Sequence, residues 1–246
     1  MSNGTWSKWS KHQVLLRSPY VSNHLPDTCQ FSQENFHEML SKHPQIILKP
    51  SAKSGGIGVI LVSNLHNGSF RIHRGRNIQF VKGADHVFNM LKPGIQIPYL
   101  IQSRINLAEI GKRPYDLRVM VQRHTHSSEW VVTGKLAKIA GPGFIITNTA
   151  RSRGRVASFS EATRLSKVLN GRAMPVMHAS VNELSIKIAK QLSTGYPNQR
   201  IMGIDIGIDK NGTIWIIEVN FTPSTGLFLK LKDKSAYQRI MQYKKG

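Results

Sequence analysis

The sequence predicts a mixed α/β (α+β) fold. Two observations set this. Short runs of β-branched residues alternate with segments of helical periodicity, and the chain carries a strong β-hairpin signal from Met202 to Asn220. With 246 residues and 40% hydrophobic content, it can bury a substantial core. Trp6 to Arg17 reads as a short helix, and Ser32 to Ser41 as a better one. Ser32 is its N-cap, and Phe36, Met39 and Leu40 share a face. Ile46-Ile47-Leu48 and Val59-Ile60-Leu61-Val62 read as buried strands, and Phe70 to His73 and Ile78 to Val81 as short alternating ones. Ala84 to Leu91 is a helix stopped by Pro93-Gly94, and Tyr99 to Ile101 a strand. Tyr115 to Gln122 pairs with Trp130 to Leu136 across the polar loop His124 to Glu129. Glu161 to Leu169 and Val181 to Leu192 are helices. The stretch Gly141 to Arg155, rich in glycine and arginine, is the candidate mobile loop.

Thirty-four basic against 13 acidic residues give a formal charge of +21, which implies an anionic partner: nucleic acid, an acidic polymer, anionic lipid or a phosphorylated ligand. The charge thickens at Arg151, Arg153 and Arg155, and again at Lys230, Lys232, Lys234, Lys244 and Lys245, where a frayed C-terminus is expected. One cysteine, Cys29, excludes an intramolecular disulfide and a cysteine-based zinc site, and suits a reducing, cytoplasmic setting. The first residues show no signal-peptide pattern, and no apolar run is long enough to span a membrane. The one close histidine pair, His124 and His126, sits in a polar loop and reads as solvated.

Three motifs carry chemistry. In the hairpin, Asn211-Gly212 signals a two-residue type I′ turn. Lys210 then pairs with Thr213, Asp205 stands opposite Glu218, and Asn220 lies two residues along the same face. Ile204, Ile206, Ile208, Trp215, Ile217 and Val219 form the apolar face. Facing carboxylates repel, and a hard cation such as Mg²⁺ between them removes the repulsion. The alternative is a hairpin with acidic residues at a solvated end.

In the second motif, a strand ends at Lys49 and a small-residue loop, Ser51 to Gly58, leads into the next strand. Its glycines let the backbone approach an anion, although no helix follows as a Walker loop requires. The alternative is a surface hairpin. In the third motif, Asp116 and Arg118 share one face of a strand whose other face carries Leu117, Val119 and Val121. Arginine suits a two-pronged grip on phosphate or carboxylate, and the alternative is an ion pair between Arg118 and Asp116.

These motifs, in this order, resemble the ATP-grasp superfamily over nearly the whole chain. The wording of Trp6 to Leu16 and Lys49 to Val59 looks most like its YheC/YheD group of endospore coat-associated proteins. Asp-Leu-Arg-Val at 116–119 and Glu-Val-Asn-Phe-Thr-Pro at 218–223 are similar to glutamate ligases and tubulin tyrosine ligase-like enzymes. The resemblance implies two α+β lobes gripping a nucleotide in a single ATP-grasp domain, 1–246. Its parts would be an entry helix to residue 24, a first lobe over 25–103, a metal-binding lobe over 104–230 and a basic tail over 231–246.

By the same resemblance, Lys8 matches the first nucleotide lysine and Lys49 the second. Leu25-Pro26-Asp27-Thr28 is similar to the family's entry to the first lobe. Ser51, Ser54, Gly55, Gly56 and Gly58 would cover the phosphates, and Gln102 and Ile105 fall on the adenine and ribose hinge. Arg118, Lys138 and Asn148 are the candidate catalytic groups, and Asp205, Glu218 and Asn220 the Mg²⁺ ligands. The implied cofactors are ATP and Mg²⁺. The implied activity is an ATP-dependent carboxylate–amine ligase working through an acyl phosphate.

Three departures stand out. By the resemblance, the domain that usually precedes the first lysine helix is expected to be largely absent. The hinge has Gln102 near the position of an acidic residue. The turn after Asn148 is rich in arginine where many ligases have a glycine pair. Besides an active ligase, two readings stay open: a non-catalytic ATP-binding coat or scaffold protein, and a basic nucleic-acid binder. No groove-reading motif supports the last. Expected partners are ATP, a carboxylate substrate and a polyanionic acceptor or spore-coat components.

Overall fold

The computed structural model describes residues 6–53, 55–142, 144, 147, 154–169, 171 and 173–245. The chain divides into two compact units. The first comprises residues 1–10, 26–105 and 143–146, and the second 11–25, 106–142 and 147–246. The first break falls inside helix α1 (Lys8–Leu16), which is followed by the short helix α2 (Pro19–Ser22).

The first unit is a six-stranded antiparallel sheet. Its strands are β1 (Thr28–Gln30), β2 (Gln45–Pro50), β3 (Ile60–Asn64), β4 (Ser69–Arg74), β5 (Asn77–Lys82) and β6 (Tyr99–Ser103), in the order β1-β6-β2-β3-β4-β5. Alternation splits each strand between two faces. Ile46, Leu48, Val62, Ile72 and Ile101 pack against Phe36, Met39 and Leu40 of α3 (Gln33–Lys42) and Val87, Phe88 and Leu91 of α4 (Ala84–Leu91). Ser32 caps α3 as expected, its hydroxyl accepting from the Asn35 amide at 3.1 Å. The opposite face carries a continuous cross-strand row: Thr28, Gln102, Ile47, Leu61, His73 and Ile78.

The second unit is built on β8 (Arg113–Gln122), β9 (Val131–Ile139), β10 (Arg155–Ala157), β11 (Ile201–Ile208) and β12 (Ile214–Asn220), in the order β10-β9-β8-β11-β12. The two-residue strand β7 (Glu109–Ile110) pairs with β8. One face buries Leu117, Val119, Val121, Ala137, Ile204 and Ile206 with Met177, Val181, Leu184 and Ile188 of α6 (Met174–Ser193). The helix expected from Glu161 is α5 (Phe159–Ser166). It starts earlier because the Ser158 hydroxyl accepts from the Glu161 amide at 3.1 Å. It stops where Lys167 turns left-handed, at φ 54°.

The hairpin differs from its expected form in an instructive way. Its loop is not the two-residue turn that Asn211-Gly212 suggests. The Asp209 amide bonds to the Thr213 carbonyl at 3.0 Å, so three residues, Lys210 to Gly212, form the loop, with Gly212 at φ +81°. This shifts the nearby pairing to Ile208 with Ile214 and Ile206 with Ile216. A bulge between Asp205 and Ile206 shifts it back, so Asp205 still faces Glu218. The correction falls on Trp215 and Ile217. They are half-buried, and Ile214 and Ile216 take the core positions expected of them.

The C-terminus also differs from the frayed tail expected. It forms helix α7 (Ser235–Lys245), with Ile240 fully buried against Met120, Leu136 and Phe228. The Gln122 side-chain Nε2 donates to the Ile240 carbonyl at 3.1 Å. Gly134 makes this approach possible, since a Cβ there would lie 2.8 Å from Ile240 Cδ1 and 2.9 Å from a Phe228 ring carbon. Gly134→Ala is therefore expected to destabilise the protein by about 1–3 kcal/mol in urea denaturation. Ile240→Ala should cost much less in that background than in the wild type, because the first contact to clash is already gone.

Candidate functional site

In the first unit, β2 ends by placing Lys49 on the polar face of the sheet. Its buried ammonium donates to Gln102 Oε1 at 2.7 Å. Gln102 in turn donates to the Thr28 hydroxyl at 2.9 Å, and Thr28 donates to the Pro26 carbonyl at 2.7 Å. The entry motif Pro26-Asp27-Thr28 thus fixes the lysine through one side chain.

The loop after Lys49 meets the start of α1. The Lys8 amide donates to the Ser51 carbonyl at 2.9 Å, and the Lys8 ammonium to the Lys53 carbonyl. Gly55, Gly56 and Gly58 have φ of +71°, +72° and +74°. At Gly58 a Cβ would also fall 2.5 Å from the Tyr99 hydroxyl, so glycine is required twice over. Ile105 is half-buried beyond β6 and takes no part in the Lys49–Gln102 chain. Ser54 lies outside the described residues.

In the second unit, β8 and β11 put Arg118 directly opposite Asp205, and β8 and β9 put Asp116 opposite Lys138. Arg118 grips Asp205 with two prongs, Nε to Oδ1 at 2.7 Å and a terminal nitrogen to Oδ2 at 3.2 Å. The expected alternative, an Arg118–Asp116 pair, does not form, because cross-strand neighbours are nearer than residues two apart on one strand. Lys138 Nζ lies 3.0 Å from both Asp116 Oδ1 and Asp205 Oδ1. Thr147 donates to the other Asp116 oxygen. Two acids and two bases thus share a buried site.

Their ionisation follows from this geometry. Burial opposes the charge on Asp205, but Arg118 and Lys138 outweigh it and hold the carboxyl down at about 2. Asp116 is pushed up to about 6, by burial first, with Lys138 opposing and Asp205 reinforcing. Lys138 stays above its ordinary value, because Asp116 and Asp205 overcome its burial.

Asp205, Glu218 and Asn220 come to one face of the hairpin. They offer only oxygen donors, and Asp205 is anionic at neutral pH, so the set fits a hard divalent cation. Among the described residues no group of three His, Cys, Asp or Glu side chains gathers for a metal. Asn148 lies outside the described residues.

Three contributors escaped the sequence reading. Gly203, paired with Asn220, accommodates Pro223, whose Cβ lies 2.4 Å from where a Gly203 Cβ would stand. The proline of Glu-Val-Asn-x-x-Pro thus holds the end of the hairpin, and a glycine two residues before Asp205 was the signal for it. Lys11 is buried, with its ammonium on the Val219 carbonyl and 5.0 Å from the centre of the Phe221 ring. Its position one helical turn after Lys8 could have drawn notice. Thr147 carried no readable signal.

Two antiparallel sheets with this constellation define an ATP-grasp protein. The chain belongs to the YheC/D-like ATP-grasp family, whose model matches residues 1–245. It is 23% identical over 243 residues to the endospore coat-associated protein YheC of Bacillus subtilis (strain 168), covering 97% of this chain and 65% of that protein. It is 24% identical over 236 residues to YheD of the same strain, covering 91% and 49%. The chain therefore spans about half to two thirds of the length of these relatives. Among solved structures, the ATP-grasp ligase PsnB complexed with a minimal precursor superposes with a TM-score of 0.56 at 13% identity, covering 97% of this chain and 61% of that one. A structure of PsnB with a phosphomimetic precursor variant, Mg and ADP gives 0.53 at 13% identity, covering 97% and 58%. These two likenesses are of fold.

Two outcomes follow from the charge cluster. Arg118→Ala leaves Asp205 without its fork and should cost about 3–5 kcal/mol in urea denaturation, with Arg118→Lys recovering only part. The second concerns pH. The folded state takes up a proton at Asp116 near pH 6, but the unfolded chain does so only near its ordinary value of 3.8. Through this group, stability falls as pH rises from about 4 to about 6. Asp205 acts in the opposite sense, and its contribution is lost only below about pH 4, as pH falls towards 2. The difference in stability between Asp116→Asn and wild type, measured at steps from pH 4 to 7, should grow with pH in favour of the variant.

Proposed function

We propose that the chain binds Mg·ATP and uses it as a carboxylate–amine ligase. The observation that carries this is the ionised Asp205, neutralised in advance by Arg118 and Lys138 and facing Glu218 on the same sheet face. Lys49 and the amides of the glycine loop would hold phosphate oxygens. Gln102, as a neutral hinge residue, would hydrogen-bond the nucleotide. Asp205, Glu218 and Asn220 would hold Mg²⁺, which supplies charge neutralisation on the phosphates when bound.

Phosphoryl transfer asks the protein chiefly for positioning and cationic groups. In this reading a substrate carboxylate oxygen attacks the γ-phosphorus and ADP leaves, giving an acyl phosphate. An amine then attacks the carbonyl carbon, loses its proton and expels phosphate. Arg118 is already fixed by its fork on Asp205. It would meet the negative charge that develops on the transferred group without the cost of being ordered at that moment. Lys138, kept protonated by its two aspartates, would do the same. The likeness to PsnB supports a ligase fold, and the likeness to YheC and YheD supports a link to the spore coat.

Binding is tested by thermal shift. Saturation at a hundred times the dissociation constant should stabilise the protein by about 2.7 kcal/mol. Glu218→Gln should lose the Mg²⁺-dependent part and keep its fold. A folded sample that shows no shift with millimolar Mg·ATP would contradict nucleotide binding. ADP release across a panel of amino acids, peptides and cell-wall precursors tests catalysis. A nucleotide-bound protein that releases none with any of them is a binding protein and not a ligase.

A further inference from the structure

The edges of the two sheets are treated differently. In the first sheet β1 is only three residues long, and so is β10 in the second. The outer edge of β12 is occupied, since the Ile216 amide donates to the His24 carbonyl at 2.8 Å and the His24 ring meets the Ile214 carbonyl at 2.7 Å. The six-residue β5 has no such cover: among the described residues no strand lies beyond it. It contains no proline and its pairing with β4 shows no bulge. Proteins normally blunt an edge of this kind, because it offers a row of backbone donors and acceptors to another chain.

The side chains at this edge are equally unusual. Phe80 is 68% exposed and Ile78 46%. They share a face, because they are two residues apart on one strand. Phe80 stands opposite Arg71, and Ile78 opposite His73. Lys82 is on the same face, Arg74 ends β4, and Arg76, in the turn, lies 5.5 Å from the centre of the Phe144 ring. From Ser69 to Lys82 the hairpin carries four Lys or Arg residues and no acid. Arg71 Nε is buried without a hydrogen-bond partner. The cross-strand row runs from Ile78 through His73, Leu61 and Ile47 to Gln102, so this face is the one that carries the Lys49–Gln102 pair.

We infer that β5 is a docking edge for an extended acidic peptide. The peptide adds as a further strand, its backbone pairing with β5. Its carboxylates meet Arg71, Arg76 and Lys82, and its apolar side chains cover Phe80 and Ile78. An acidic peptide is favoured over a single-stranded nucleic acid, which would need a series of exposed aromatic platforms, whereas Phe80 is the one exposed Phe, Tyr or Trp of the Ser69–Lys82 hairpin. Docking does not depend on the ligase reading. Only the further step, that the docked peptide supplies the carboxylate consumed, rests on it.

The test is fluorescence anisotropy without nucleotide, so that failure of ATP binding cannot affect it. The probe is a labelled peptide repeating Glu-Glu-Val-Val, which puts both residue types on each face of a strand. Controls repeat Lys-Lys-Val-Val, or carry proline at every fourth position of the acidic repeat. The acidic peptide should bind with steep salt dependence, and the two controls should not. Phe80→Ser and Lys82→Ser, both at exposed positions, should each weaken binding about tenfold or more while leaving the Mg·ATP thermal shift unchanged. Equal binding of the acidic and lysine peptides would overturn the inference, as would binding indifferent to proline or to both substitutions. Two other results would also overturn it. One is self-association in sedimentation that Phe80→Ser abolishes, which makes a second copy the occupant. The other is tighter, Phe80-dependent binding of oligouridylate, which makes the occupant a nucleic acid.

Discussion

The second sheet depends on the fork between Arg118 and Asp205. Carboxylates at 116 and 205 lie buried on one face of a sheet, and a third, Glu218, is directly opposite Asp205. Without compensation such an arrangement repels and loses hydration. Arg118 and Lys138, each placed opposite one aspartate by strand register, neutralise the pair, and the Arg118 fork satisfies both oxygens of Asp205. A buried ionic network of this kind is seldom retained for stability, because apolar residues of equal volume would serve as well. In the proposed ligase its value would be preorganisation, with an anionic ligand and two fixed cations in place before any substrate arrives.

The same sheet face is divided between two tasks. Along β8, Met120 and Gln122 lie under the C-terminal helix, and Arg118 and Asp116 hold the charge cluster. Glycines make the division possible. Gly134 lets Ile240 and Phe228 close on the sheet, and Gly203 lets Pro223 pack beside the pair it makes with Asn220. The residues after the metal-type motif therefore fix the edge of the site as well as ending the chain's second sheet. The charge excess has a similar logic. Among the few acids, Asp116, Asp205 and Glu218 are drawn into the cluster or beside it, which leaves the rest of the surface still more basic.

Much of the fold was legible because its signals are local. The Ser32 cap, the Pro93-Gly94 stop and the alternation along β8 each report one element, and each element forms where they place it. The hairpin shows the limit. Asn211-Gly212 marks a turn but does not fix its length, and nothing local announces the bulge at Asp205. The facing of Asp205 and Glu218 survives because two one-residue offsets cancel, and the burial of Trp215 does not survive, because it lies between them. In the site, Arg118 and Asp116 were recognisable as chemistry, but their partners are set by strand order, which spacing along the chain does not carry. The helix over the C-terminal lysines was hidden for a related reason. Its apolar anchor, Ile240, is one residue whose pocket is made by Met120, Leu136 and Gly134, far away in sequence.

In the proposed ligase the hairpin carboxylates and a nucleotide phosphate share one divalent cation. This sharing is tested most directly by replacing Mg²⁺ with Mn²⁺ and recording electron–nuclear double resonance in the presence of a non-hydrolysable ATP analogue. Protein-bound Mn²⁺ with clear phosphorus coupling is expected in the wild type. That bound species should be lost in Asp205→Asn, in a protein that still unfolds cooperatively. Bound Mn²⁺ with the same phosphorus coupling in wild type and Asp205→Asn would contradict the sharing, because the metal would then be held by the nucleotide without the hairpin.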